Sequence, residues 1–255
     1  MHTLVPSVGL FLAAMAAGAI NSIAGGGSLV SFPALVAFGQ PTLLANATNT
    51  SAMWPGTLAG ALTYRRQTAR YGSLLVALML PSMAGGLLGA FVLVKTPPAL
   101  FDEVVPFLVL FATLLFALRD RIARWTGVTV RSEEQVTTGS RIWGMLFQFG
   151  VATYGGYFGA GIGILMLASL SLMGLRDIHR MNGLKTVLST VINIIAFAYF
   201  AYQGLVVWHL AALMSAGAIA GGYLGAHWAM RVDQHKIRSF VTAIGLLVSL
   251  WLFLK

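Results

Sequence analysis

The chain repeats itself at a fixed offset, and each copy carries a cluster of glycines inside an apolar run. In the first copy Gly25, Gly26 and Gly27 interrupt a hydrophobic stretch that begins near Leu4 and resumes through Leu35. In the second, Gly156, Gly159, Gly161 and Gly163 fall at the corresponding place. One shift superposes Gly25 on Gly161, Gly27 on Gly163, Asn46 on Asn182, Thr50 on Thr186 and Gln67 on Gln203, an offset of 161 − 25 = 136 residues. The same register lays AGGLLGA at 84–90 over AGGYLGA at 220–226 without a gap. Two homologous halves of this kind are a common construction of membrane carriers, with the binding site where the halves meet.

Glycine is the residue least willing to hold a helix and most willing to let another group approach its backbone. In a lipid-embedded segment, unwound backbone survives only where it is buried in protein or lines a cavity. That argument needs the segment to be in lipid, and composition supplies the point. Of the 255 residues 58% are hydrophobic and only 9% charged, with a mean hydropathy of +0.82. Soluble chains carry about 25% charged residues, so this one cannot cover itself for water. Apolar stretches of membrane-spanning length, without the alternation of a barrel strand, predict an all-α integral membrane protein.

Charge and cysteine usage narrow the function classes. The net charge of +9 lies in short loops between spans, as the positive-inside bias requires, and does not indicate a nucleic-acid partner. Cysteine is absent, which excludes disulfides, thiolate metal sites and cysteine nucleophiles. No metal cluster, cofactor motif or nucleophile–base pair is legible, so an enzyme is not expected. The N-terminus reads as the first membrane segment, and the protein as multi-pass in the inner (plasma) membrane.

The expected organisation is a first membrane repeat over 1–120, a cytoplasmic linker over 121–140 and a second membrane repeat over 141–255. Each repeat has one glycine-broken re-entrant or half-helix segment and about three to four spanning helices. Loops 65–70, 119–141, 174–181 and 230–238 are basic, whereas 39–45 and 202–208 are uncharged. If each broken segment enters and returns on one side, all four basic regions fall on the cytoplasmic face and the halves are inverted. If each crosses fully, the halves are parallel. The charge bias favours inversion.

A half-helix starting at Ser28, and another near Gly163, would present backbone N–H groups and positive dipole ends, which bind anions without a charged side chain. Polar residues cluster just beyond each break: Asn46, Thr48, Asn49, Thr50 and Ser51 in the first half, Asn182, Lys185, Thr186 and Ser189 in the second. Asn182 and Lys185 lie one helical turn apart and share a face. An intramembrane lysine is a functional candidate by default, although Arg180 nearby leaves snorkelling to the interface open. All seven acidic residues sit in loops or at their edges, which argues against a carboxylate-coupled cation carrier. The candidate anion site is therefore Gly25, Gly26, Gly27, Ser28, Asn46, Asn49, Thr50 and Ser51 with Gly159, Gly161, Gly163, Asn182, Lys185 and Thr186. For Gly85, Gly86, Gly89 and Gly221, Gly222, Gly225, close helix packing is the simpler reading.

At these residues the sequence resembles the TauE/SafE sulfite exporter family, also called the four-segment sulfite exporter family. The resemblance rests on GAINSIAGGGSLVSFPALVAFG and ANATNTSA in the first half. In the second half it rests on YGGYFGAGIGILMLASLSLMG, MNGLKTVLSTVINIIAFAYF and GAIAGGYLGAHWAMR. It implies a membrane carrier of small sulfur-containing anions such as sulfite, thiosulfate or sulfonates, with no cofactor. Asn21 stands where many members carry an acidic residue, which removes a titrating group. The leading expectation is a secondary transporter, an exporter of sulfite or a similar oxyanion bound between the repeats. The alternatives are a passive anion channel, or an uptake carrier for thiosulfate or an organosulfonate. A membrane scaffold without transport is a third class.

Overall fold

A computed structural model describes residues 4–23, 26–63, 72–118, 121–122, 125, 138–173, 175, 178–228 and 234–254. Among these are ten major helices and no strand. The first half supplies α1 (Leu4–Ile23), α2 (Ser28–Ala37), α3 (Thr42–Thr63), α4 (Gly72–Lys95) and α5 (Pro98–Ala117). The second supplies α6 (Thr138–Tyr157), α7 (Ile162–Leu172), α8 (Ile178–Tyr202), α9 (Trp208–Trp228) and α10 (Gln234–Leu254). Each half thus holds four long helices and one short one, and the short helices, of 10 and 11 residues, follow the glycine breaks. Most of the 121–140 linker and the basic loops at 65–70 and 230–233 lie outside the described residues.

Helices α4, α5 and the Arg180–Tyr202 part of α8 are long and apolar enough to cross a membrane. Their outer faces carry large apolar side chains open to the surroundings, among them Val76, Leu80, Phe107 and Phe111. A soluble protein would not expose so continuous an apolar wall, while a bilayer solvates it.

The short helices run back along the helices before them. A Cβ on Gly27 would overlap the Ala17 carbonyl, and one on Gly9 would lie 2.8 Å from the Phe38 ring. So α2 descends alongside α1 and ends near its start. The second half does the same: Gly155 meets Ile162, Gly144 meets Met173, and Ser169 Oγ reaches the Gly144 carbonyl at 3.5 Å. In both halves glycine is required where the two arms touch, since any side chain would hold them apart.

The halves are interleaved. The first helix of each half packs along the fourth helix of the other, α1 on α9 and α6 on α4. The third helix of each also leans on that swapped fourth helix, α3 on α9 and α8 on α4. The two third helices meet each other, and α5 pairs with α10. Small residues allow the swapped contacts: a Cβ on Gly221 would overlap the Met15 carbonyl oxygen, one on Gly89 that of Thr153, and one on Gly85 would lie 2.5 Å from the Phe149 oxygen. Two units result, α1–α2–α3 with α9 and α6–α7–α8 with α4, and each contains chain from both halves.

Candidate functional site

Polar side chains are buried along α3 and α8, where the two units meet. Asn46, Thr48, Asn49, Thr50 and Ser51 on α3, and Lys185, Ser189 and Thr190 on α8, are all buried. A hydrophobic chain gains nothing from burying such groups for packing alone, so a polar band inside it marks a site. On each helix one stripe at helical spacing faces inward: Asn46, Thr50, Met53 and Thr57 on α3, and Asn182, Thr186, Ser189 and Asn193 on α8. These are the same repeat positions, 136 residues apart.

Between the stripes lies a cavity of about 50 Å³. The first half lines it with Asn21, Gly26, Ser28, Thr50, Met53 and Thr57. The second half contributes Phe158, Gly159, Ile162 and Gly163 from its break, and Lys185, Thr186, Ser189 and Asn193 from α8. Both short helices therefore point their N-terminal ends at one chamber. Among the lining residues there is no carboxylate, and Lys185 is the one cation.

Glycine conformation builds the two breaks, though not identically. Gly26 has φ +86°, and Gly159 and Gly161 have φ +79° and +74°, values that other residues rarely adopt. Helix α7 begins at Ile162, whereas the repeat-equivalent position in the first half is Gly26, two residues before α2 begins. The first turn of α2 is capped from outside. Asn21 Oδ1 accepts a hydrogen bond of 2.7 Å from the Gly27 N–H, as a helix-capping side chain would. With its oxygen so engaged, the Asn21 amide nitrogen remains a donor at the cavity wall. In the second break the Tyr154 hydroxyl donates to the Ala160 carbonyl at 2.7 Å and holds the unwound turn.

Lys185 is 5% exposed and lies inside the protein rather than snorkelling outward. Its ammonium donates to Asn182 Oδ1 at 3.0 Å. Gly163 makes room for its stem, since a Cβ there would come within 3.2 Å of the Lys185 Cδ. The second break thus serves two purposes, a helix end at the cavity and a slot for the lysine.

Of the residues expected at the site, Gly26, Ser28, Thr50, Gly159, Gly163, Lys185 and Thr186 line the cavity. The others lie behind it. Gly27 backs onto α1 and Gly161 onto Ala112 of α5. Asn49 Oδ1 accepts from Ser31 Oγ at 2.6 Å, tying α3 to α2. Ser51 donates to the Ala47 carbonyl of its own helix, and Asn182 holds Lys185. Asn46 donates to the Tyr157 carbonyl at 2.8 Å. Gly25 lies outside the described residues.

Sequence reasoning put Ser189 in the polar cluster beyond the second break, though not in the candidate set, and did not place Asn21, Met53, Thr57, Phe158, Ile162 or Asn193 there either. For Thr57 and Asn193 a signal existed: they are polar, 136 residues apart, and two turns beyond Thr50 and Thr186 on the same face. For Phe158 and Ile162 none existed, because an apolar wall residue looks like any other core residue.

Three relatives match nearly the whole chain. It is 27% identical over 241 residues to a "Probable membrane transporter protein" of Haemophilus influenzae, covering 94% of this chain and 91% of the relative. It is 28% identical over 246 residues to "Probable membrane transporter protein ORF9" of a Sinorhizobium species, covering 94% and 90%. It is 26% identical over 246 residues to "Probable membrane transporter protein YfcA" of Escherichia coli K12, covering 94% and 87%. No solved structure matches the chain. The family described as "Sulfite exporter TauE/SafE" matches residues 10–252, and with that span the chain, a multi-pass membrane transporter and not an enzyme, belongs to the TauE/SafE family.

Proposed function

We propose that the protein is a secondary transporter of a small sulfur-containing oxyanion, with sulfite the best fit, and that the cavity between α3 and α8 is its binding site. The observation that carries this reading is the wall chemistry: two helix N-terminal ends and one buried lysine face a chamber whose lining has no carboxylate. Such a chamber favours negative charge from every side. Ser28, Thr50 and Asn193 line the chamber, and their hydroxyl and amide groups are donors for the remaining oxygens. Volume favours a small solute. By the measure in which one water needs about 10–15 Å³, a 50 Å³ chamber is of the size of a small oxyanion such as sulfite.

We also propose that the halves are inverted and that the site sits in the inner membrane. Support comes from the return of α2 along α1 and of α7 along α6. Each broken segment then makes no net crossing and three crossing helices follow it, an odd number, so the second half starts on the opposite face from the first. The basic loops at 65–70, 119–141, 174–181 and 230–238 all fall on one face in that arrangement, which the positive-inside bias makes cytoplasmic.

The experiment that tests this function is sulfite flux in proteoliposomes, with and without an imposed pH gradient. Saturable flux is expected, and strictly linear flux up to high concentration would favour a channel instead. A second test concerns Asn21. Asn21→Asp keeps the acceptor for Gly27 N–H and places a negative charge where the α2 dipole welcomes it. Folded yield should hold, while the new carboxylate at the cavity wall should weaken anion affinity about tenfold or more. Unchanged affinity would remove the α2 end from the site.

A further inference from the structure

The two ends of the polar stripe are not equivalent in this structure, although the repeat makes them equivalent in sequence. Asn182 is half-buried, and its Oδ1 is engaged by Lys185. Its mate Asn46 is 1% exposed, and Asn46 Oδ1 has no hydrogen-bond partner. The Asn46 amide nitrogen reaches across to the other unit and donates to the Tyr157 carbonyl. The next residue, Phe158, lines the cavity and packs edge-on against Phe32 of α2, with ring centroids 5.3 Å apart. Phe32 and Phe158 are each 2% exposed. Beyond this layer Thr48 accepts from Val207 N–H at 3.1 Å, a bond within the unit of α3 and α9, and Thr42 bonds to Asp102 of α5.

We infer that the Asn46–Tyr157 hydrogen bond and the Phe32–Phe158 pair form a gate, and that the structure holds this gate shut while the Asn182 end is the accessible one. The inference rests on the transport reading above. The gate crosses between units: Asn46 and Phe32 belong to α3 and α2, Tyr157 and Phe158 to the break between α6 and α7. Parting the units at this end breaks both contacts together. The orphaned Asn46 oxygen favours that opening, because a buried amide oxygen without a donor regains hydrogen bonds only when water reaches it. The repeat then says what the opposite state resembles. The equivalent of Tyr157 is Asn21, so closing the other end brings the Asn182 amide toward the Asn21 backbone and draws it away from Lys185. The gate and the hold on the cavity's one cation are thereby linked.

The absence of cysteine makes a clean accessibility test available. Ser189→Cys places a near-isosteric thiol in the cavity, and Gln203→Cys, in the exposed turn after α8, marks the Asn46 face. Full-length protein in sealed vesicles is treated from either side with the membrane-impermeant 2-sulfonatoethyl methanethiosulfonate, whose negative charge suits the chamber. The Ser189→Cys thiol is expected to react from the face opposite Gln203. Adding Asn46→Ala or Phe158→Ala should speed its labelling from the Gln203 face by about tenfold, the equilibrium value of one net buried hydrogen bond or ring contact. Asn182→Ala should produce no such gain. Unchanged labelling from the Gln203 face in both gate variants, each shown to elute as a monodisperse species, would overturn the gate. Fast labelling from that face without any gate substitution would do the same. Reaction from neither face in any variant would overturn the transport reading itself, and the gate with it.

Discussion

Lys185→Met is expected to raise the dissociation constant for the transported anion by about two orders of magnitude, while leaving the amount of folded protein unchanged. Truncating one member of a buried, hydrogen-bonded charge pair costs about 2–5 kcal/mol of binding, and the lysine is the one cation on the cavity wall. Methionine keeps most of the volume of the stem that fills the slot beside Gly163, so the packing there need not collapse. Lys185→Arg keeps the charge but asks for more room in a slot packed against Gly163, and it should lose part of the affinity rather than all of it. Equilibrium binding of sulfite to detergent-solubilised protein, paired with thermal unfolding, reads both effects. A variant that unfolds in proportion to its loss of binding would move Lys185 from the site to the scaffold.

The lysine also shows what the sequence could and could not say. Its position within a span was legible, and so was its repeat relation to Asn49, since both follow from the offset. Whether it reached inward or outward was not, because Arg180 lies only five residues away and a long stem can serve either end. The deciding fact is tertiary: Gly163, on a different helix, opens the slot. Asn49 illustrates the converse. It occupies the matching place and the matching residue type for a site, yet it bonds to Ser31 and lies behind the wall. Position along a helix fixes the face only to within a turn, and one neighbouring hydroxyl is enough to turn an amide away.

The fold was legible to the level of its elements. The short helix after each break and the four long helices around it follow from apolar run length and from glycine. The swap between halves did not follow. Nothing in the order of helices says that α1 belongs with α9 rather than with α4. The contacts are chosen by stripes of small residues, Gly217, Gly221 and Gly225 against α1 and Gly85 and Gly89 against α6, and a stripe carries no label for its partner.

The backbone contact at Gly27 separates a structural glycine from one that shapes the cavity. In Gly27→Ala the new methyl group falls onto the carbonyl of Ala17, backbone held within α1 that cannot rotate aside. The arms of the first hairpin must move apart, and overpacking of this kind costs about 1–3 kcal/mol. At the scale for a chain of this size, the thermal midpoint should fall by about 5 °C, with sulfite flux lost as the α2 end leaves the cavity. Gly26→Ala meets the fully buried Phe116 ring at 2.7 Å and also puts a side chain on left-handed backbone, which by itself costs about 1–2 kcal/mol, so its loss should be no smaller than that of Gly27→Ala. Gly150→Ala has open space around it and ordinary helical backbone, and alanine holds a helix better than glycine, so neither midpoint nor flux should fall. Equal losses at Gly27 and Gly150 would mean that the close approach of α2 to α1 is not what the substitution disturbs, since helix propensity alone favours alanine at both. A loss at Gly27 that spares Gly150 would instead place the requirement in the close approach of α2 to α1, which is what aims the short helix at the cavity.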